Sequence, residues 1–216
     1  MRNFHFLILI VLIVGCQSSK NMLSAEWVKP NYSSRTFAKL AVIVVSKDYE
    51  IRQEAEKAIA HNLTKNGQNA VKGTSFLPLN SSESDWKPES VAQKLKQNQI
   101  DGALVVGLVN TRDRQVYKQG EDIVYPSGYV RVGRNIYRTY GQVQTPGYYT
   151  HEKEYIIESN LYDLEQSSTN KKDALVWTGQ SSVGSYPSLR QASNSYGKRL
   201  VRHLMENNSI LLTNSQ

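Results

Sequence analysis

Leu40-Ala41-Val42-Ile43-Val44-Val45 is an unbroken apolar run, rich in β-branched residues. It has no polar residue at alternate positions, so it reads as a strand buried on both faces. That is the mark of a parallel sheet covered by helices. The residues that follow supply such a helix. Asp48 is placed to cap it, and Ile51, Ala55, Ala58, Ile59 and Leu63 recur at helical spacing as its apolar face. Asn66-Gly67 then provides a left-handed stop. A short strand is expected near residues 69–71. Pro88 suits the first turn of a second helix over 89–98, with Val91, Ala92 and Leu95 inward. Ile100-Asp-Gly-Ala-Leu-Val-Val-Gly-Leu-Val109 is a second strongly apolar strand. The order β-α-β-α-β with short connections predicts a parallel half-sheet.

The second half has a different pattern. In 154–164, Tyr155, Ile157 and Leu161 alternate with Glu154, Glu158 and Asn160. In 174–183, Leu175, Trp177 and Val183 share a side with Gly179 and Ser181. This is antiparallel pairing with one buried face, joined by the polar stretch 165–173. Pro187 opens a last helix carrying Leu189, Ala192, Tyr196, Leu200, His203 and Leu204 inward, and Ile210-Leu-Leu212 is expected to fold back on the domain. The fold class is therefore α/β with a mixed (α+β) sheet: a parallel β-α-β-α-β half, an insert, an antiparallel strand pair and a C-terminal helix.

The insert spans 110–153. It holds seven of the thirteen tyrosines, five arginines and five glycines. Residues 115–125 and 129–143 read as two arms of an extended hairpin that turns at Tyr125-Pro-Ser-Gly128. On a continuous strand, Val130, Val132, Ile136 and Tyr140 share a face that Arg134 and Arg138 interrupt. Those two arginines argue against lipid contact. Tyr and Arg dominate interface hot spots, which makes Tyr129, Arg131, Arg134, Tyr137, Arg138 and Tyr140 the candidate partner surface. A solvated hairpin with tyrosines packed across strands, a membrane-inserted hairpin and a glycan-stacking surface are the other readings.

The amino terminus runs Met1-Arg2-Asn3, then the nine apolar residues Phe6–Val14, then Gly15 and Cys16, the only cysteine. As a helix the nine residues span about 14 Å, half of a bilayer core, which suits a secretory signal and not a spanning helix. Ile13-Val14-Gly15-Cys16 resembles the lipobox of a bacterial lipoprotein; an ordinary secretory signal with an incidental cysteine is the other reading. The resemblance implies cleavage between Gly15 and Cys16 and acylation of Cys16. With Gln17 next, it also implies sorting to the outer membrane with the domain facing the periplasm; the alternative is the outer face of the plasma membrane. A lone cysteine forms no intrachain disulfide, so the core alone must stabilise the fold.

These boundaries give a signal peptide at 1–15, a lipidated tether at 16–37, one domain at 38–212 and a tail at 213–216. Loss of Arg2 leaves 25 Lys+Arg against 19 Asp+Glu. The excess is modest and scattered, which biases the chain toward anionic neighbours and away from nucleic acid.

The sequence "IDGALVVGLV", the insert, "YIIESNLYDL", "ALVWTGQSSV" and a closing helix are similar to a group of small bacterial envelope lipoproteins with a domain of unknown function. In architecture alone, the chain resembles the amino-terminal domain of the Tol-Pal periplasmic protein and the curli secretion channel lipoprotein. The resemblance brings no activity with it.

Residue chemistry points the same way. His61, His151 and His203 are the histidines beyond the signal, and they are widely separated. His151-Glu-Lys-Glu154 lacks the second histidine of a zinc-protease helix. There is no phosphate-binding glycine loop. Ser181, Ser182 and Ser185 lack a nucleophile elbow. Asp101, Asp163 and Asp173 read as turn or strand-end residues. The expectation is a non-catalytic envelope protein with no metal or cofactor. Its partner is an unidentified envelope protein or further copies of itself, and its role is an accessory or assembly factor of a multi-protein complex. A subunit of an oligomeric secretion or pore assembly is the alternative, and a hydrolase with an unrecognised site is the second.

Overall fold

A computed structural model describes residues 23–78, 80–165, 174–207 and 209–210. Gly15, Cys16, the signal segment, Asp173, Leu211, Leu212 and the tail lie outside the described residues. Among the described residues, strands β1 (Leu23–Val28), β2 (Leu40–Val45), β3 (Ala70–Lys72), β4 (Gly102–Lys118), β7 (Tyr148–Asp163) and β8 (Leu175–Val183) form one sheet in the order β1-β8-β7-β4-β2-β3. Strands β5 (Asp122–Val132) and β6 (Asn135–Gln144) form a separate two-stranded sheet. The helices are α1 (Tyr49–Lys65), α2 (Pro88–Gln97) and α3 (Leu189–Glu206).

The expected mixed α/β architecture is present. β2 pairs in parallel with both β3 and β4, while β4–β7, β7–β8 and β8–β1 are antiparallel. β2 is covered on both sides. Leu40, Val42 and Val44 join Leu104, Leu161, Trp177 and Leu200 under α1 and α3. Ala41 and Ile43 join Leu77, Leu95 and Ile100 on the α2 side. Gly102 lets Phe37 into the first of these layers, because a Cβ there would lie 2.4 Å from the Phe37 ring.

Asp48 caps α1 as expected, accepting the Glu50 and Ile51 amides at 2.8 and 3.1 Å. Asn66 is its C-cap, and Gly67 follows at φ +86°. The face it buries is rotated from the expected one. Ile51 is exposed, while Arg52 and Glu56 are buried. The Glu56 carboxylate accepts the Val44 and Thr74 amides at 3.2 and 2.7 Å, tying helix to sheet. Burial pushes the Glu56 carboxyl up and Arg52 down from their ordinary values. Arg52 donates to the Leu77 carbonyl and lies 4.4 Å from the Trp86 ring centre. On α2, Ala92 faces solvent and Leu95 alone is buried. On α3, Ser193, Gly197 and Val201 join Tyr196, Leu200 and Leu204 inside, and His203 sits at the margin.

Two expectations about organisation change. Residues 23–28, expected within the tether, are an edge strand of the sheet. Lys29 continues it with an amide hydrogen bond to the Val176 carbonyl at 2.9 Å. The insert does not begin at a loop either. β4 and β7 run on past the sheet as one ribbon, from a bulge at Val109 out to the Lys118–Tyr148 pair.

Candidate interaction site

The ribbon is built in two parts. In the stem, the outer halves of β4 and β7, charges oppose each other across the strands: Arg112 faces Glu154, Asp113 faces Lys153 and Arg114 faces Glu152. Lys118 reaches Glu152 at 2.8 Å. Both sides of the stem are therefore polar. At its end Tyr117 packs on Tyr149 with ring centres 5.1 Å apart, beside the exposed Tyr148. Thr145 then ties the strands together, donating its amide to the Glu121 carbonyl at 3.0 Å and accepting the Glu121 amide on its hydroxyl at 2.8 Å. Beyond this junction the β5–β6 hairpin forms the tip. Stem and tip are each about 35 Å long at ~3.4 Å per residue.

The turn is not at Tyr125-Pro-Ser-Gly128. That stretch lies inside β5, where a bulge at Ser127 accommodates Pro126, a residue with no amide to donate. The chain reverses at Gly133-Arg134, between the paired Val132 and Asn135. Gly133 has φ +63° and Arg134 does not share a positive φ, the requirement of a tight type II′ hairpin turn.

This displacement reassigns every side chain of the tip. A turn between 132 and 135 places Val130 opposite Tyr137 and Tyr129 opposite Arg138. One side carries Ile123, Tyr125, Val130, Val132, Tyr137, Thr139 and Val143, with Asn135 at its end and no charged residue. Tyr125 lies flat over Gly141, where a Cβ would come 2.8 Å from its ring. The other side carries Tyr129, Arg131, Ile136, Arg138 and Tyr140, with Asp122 at the base. Arg138 lies 5.9 Å from the Tyr129 ring centre. The six candidate partner residues thus do not share one surface. Tyr129, Arg131, Arg138 and Tyr140 are together, Tyr137 is opposite and Arg134 is in the turn. The arginines expected to interrupt the apolar face are not on it.

No third strand flanks the hairpin among the described residues. Val132, Ile136, Tyr129 and Tyr140 are each more than 60% exposed. A two-stranded ribbon with free edges and bare apolar side chains is marginal by itself in water.

Several other polar groups on the domain pair with one another. Asp101 and Asp163, expected as independent strand-end and turn residues, converge on Arg35. Arg35 donates to Asp163 at 2.9 and 3.0 Å and to Asp101 at 3.0 Å, and Asp101 also accepts the Ala38 and Lys39 amides. Two carboxylates bridged by one guanidinium, with backbone amides on Asp101, form a structural clamp. His203 meets Glu26 at 2.9 Å, and Trp177 donates to the same Glu26 oxygen. Burial pushes the Tyr196 phenol up to about 12, and Tyr196 and Ser159 share a hydrogen bond beneath α3. His61 is on the exposed side of α1 and His151 lies in the stem opposite Gln115. Among the described residues no group of three His, Cys, Asp or Glu side chains is placed to hold a metal ion.

A cavity of about 430 Å³ opens where β2 and β4 leave the core, between α1 and α3. It is lined by residues such as Val44, Ile51, Val106, Ile157, Leu189 and Tyr196, none of them charged.

Fold and ribbon together define the class: a mixed α/β domain carrying a long two-stranded arm. No protein-family model and no curated protein matches the chain. Among solved structures it is similar to a PelC dodecamer from Paraburkholderia phytofirmans, at TM-score 0.42 and 11% identity over 88% of this chain and 97% of that one. It is also similar to a PDZ domain protein from Parabacteroides distasonis, at TM-score 0.32 and 9% identity over 82% of this chain and 34% of that one.

Proposed function

We propose that this chain is a non-catalytic, lipid-anchored envelope protein that builds a multi-copy assembly through its arm. Cys16 carries the anchor, after cleavage at Gly15. The observation that supports the assembly is the β5–β6 hairpin: an uncharged apolar side on a ribbon with two unpaired edges. β5 and β6 present different edges, so pairing the β5 edge of one copy with the β6 edge of the next is a heterologous contact, which propagates and forms a ring where the rotation between copies closes. This favours the oligomeric secretion or pore subunit over an accessory factor that works as a monomer. The outer membrane, with the domain in the periplasm, is the location that Gln17 after Cys16 supports.

The test removes residues 112–149, which joins Thr111 to Thr150 and leaves a five-residue loop before Tyr155, the partner of Thr111. Both proteins are extracted in detergent and weighed by sedimentation. The full chain is expected to sediment as a multi-copy particle and the shortened chain as a folded monomer. A full chain that is monomeric, or a shortened chain that keeps the multi-copy mass, contradicts the proposal.

A further inference from the structure

We infer that the β5–β6 hairpin crosses the bilayer that holds the Cys16 anchor, with its uncharged side against the acyl chains. This inference rests on the assembly reading above.

The first support is the relation between tether and stem. Leu23 pairs with Ser181, Ser181 with Ile157, and Ile157 with Leu108. These four residues form one row across the sheet, and that row is the root of the arm. The chain toward Cys16 therefore leaves the domain where the arm does. Seven steps separate Cys16 from Leu23, a reach of about 25 Å at most. The stem from Leu108 to Lys118 is ~34 Å long. A stem directed at the anchoring membrane is longer than the tether that holds the domain there, so the tip must enter the bilayer.

The second support is the order of polarity along the arm. Charge pairs occupy both sides of the stem. Tyr117, Tyr148 and Tyr149 come next, all exposed, where an interfacial aromatic belt belongs. The uncharged side begins just beyond them, and Arg134 lies in the turn at the far end. β5 and β6 have 11 and 10 residues, the length a tilted strand needs to span a hydrocarbon core (about 9–11). No described helix is long and apolar enough to cross a membrane, a limit that does not apply to strands.

The unpaired edges require several copies. A lone hairpin in hydrocarbon leaves backbone groups without partners, so hairpins from neighbouring copies must close into a barrel. Arg131 and Arg138 then face a water-filled interior.

The experiment uses the full-length lipidated protein, whose single cysteine is acylated, with one new cysteine at a time. In intact cells, Arg134→Cys is expected to react with a membrane-impermeant maleimide, while wild type and the stem variant Asp113→Cys do not. In phosphatidylethanolamine–phosphatidylglycerol vesicles, spin labels at Val130→Cys and Tyr137→Cys are expected to collide with oxygen at least threefold more than with a water-soluble nickel complex. Labels at Tyr129→Cys and Arg138→Cys are expected to show the reverse. Equal nickel access on both sides overturns the crossing, and so does protection of Val130→Cys from both reagents, which means another protein surface covers it. If the particle remains multi-copy in either case, only the crossing fails; a monomer overturns the assembly reading as well.

Discussion

Val130 and Tyr137 stand opposite each other across the β5–β6 hairpin, while Arg138, one residue further on, turns to the other side beside Tyr129. A two-residue loop at Gly133-Arg134 produces this sorting. One more or one fewer residue in the loop slips the register, and a slip by one sends each side chain to the opposite side. The hairpin is thus divided into a side with charge and a side without it.

A charge placed on the uncharged side should disrupt assembly, and the same charge on the other side should not. Val130→Arg is expected to cost about 1–2 kcal/mol, because Val130 lies two residues from the end of β5, between the bilayer centre, where a lipid-facing arginine costs about 2–4 kcal/mol, and the interface, where it costs about 0–1. Tyr129→Arg should leave the particle intact. The multi-copy fraction in detergent extracts reads the difference.

Gly133→Val should loosen the tip and spare the domain. A β-branched residue in the left-handed region costs roughly 1–2 kcal/mol. Amide exchange in β5 and β6 should accelerate several-fold while the melting temperature of the domain stays within a degree or two of wild type.

Arg35→Ala should destabilise the domain by about 3 kcal/mol, because the fully buried Asp163 carboxylate loses the guanidinium that neutralises it. Arg35→Lys should recover only part of the loss, since an ammonium group cannot grip Asp163 and Asp101 together as a planar fork does. Urea unfolding measures both.

The β1 edge should weaken in acid. Burial acts to raise the Glu26 pKa, but the Trp177 and His203 contacts outweigh it and hold the carboxyl below its ordinary 4.5. A depressed carboxyl stabilises the fold above 4.5 and loses that contribution as the pH falls through its folded value. Amide exchange in residues 23–28 should therefore rise selectively below that pH. Glu26→Gln should show the faster exchange already at neutral pH and converge with wild type in acid.

Much of the fold was legible because β2 and the first eight residues of β4 (102–109) carry no polar side chain and α1 carries its own signals, Asp48 and Asn66-Gly67. Strand β1 was not legible. It is an edge strand whose residues 24–28 all stay exposed, with polar Ser24 and Glu26 among them, so Leu23–Val28 reads like linker. Arg52 and Glu56 were missed because hydrophobic spacing places polar residues outside, and their burial is tolerable through their own contact at 3.8 Å together with the tertiary partners Val44, Thr74, Leu77 and Trp86. The convergence of Asp101 and Asp163 on Arg35 needs three distant segments and leaves no local trace. In the arm, composition located the projecting hairpin but Pro126 drew the turn to the wrong place. A β-bulge at Ser127 hosts that proline, and the Gly133-Arg134-Asn135 stretch holds the turn signal that decides which residues share a side.

The association of copies through the tip is tested most directly by a benzophenone photocrosslinker in place of Arg138, on the outer edge strand β6, irradiated in intact cells. The expected product is a covalent dimer of this chain alone, with the crosslink mapped to β5 of the second copy. Capture of a different protein, or a chain that stays uncrosslinked, would contradict assembly through paired hairpins.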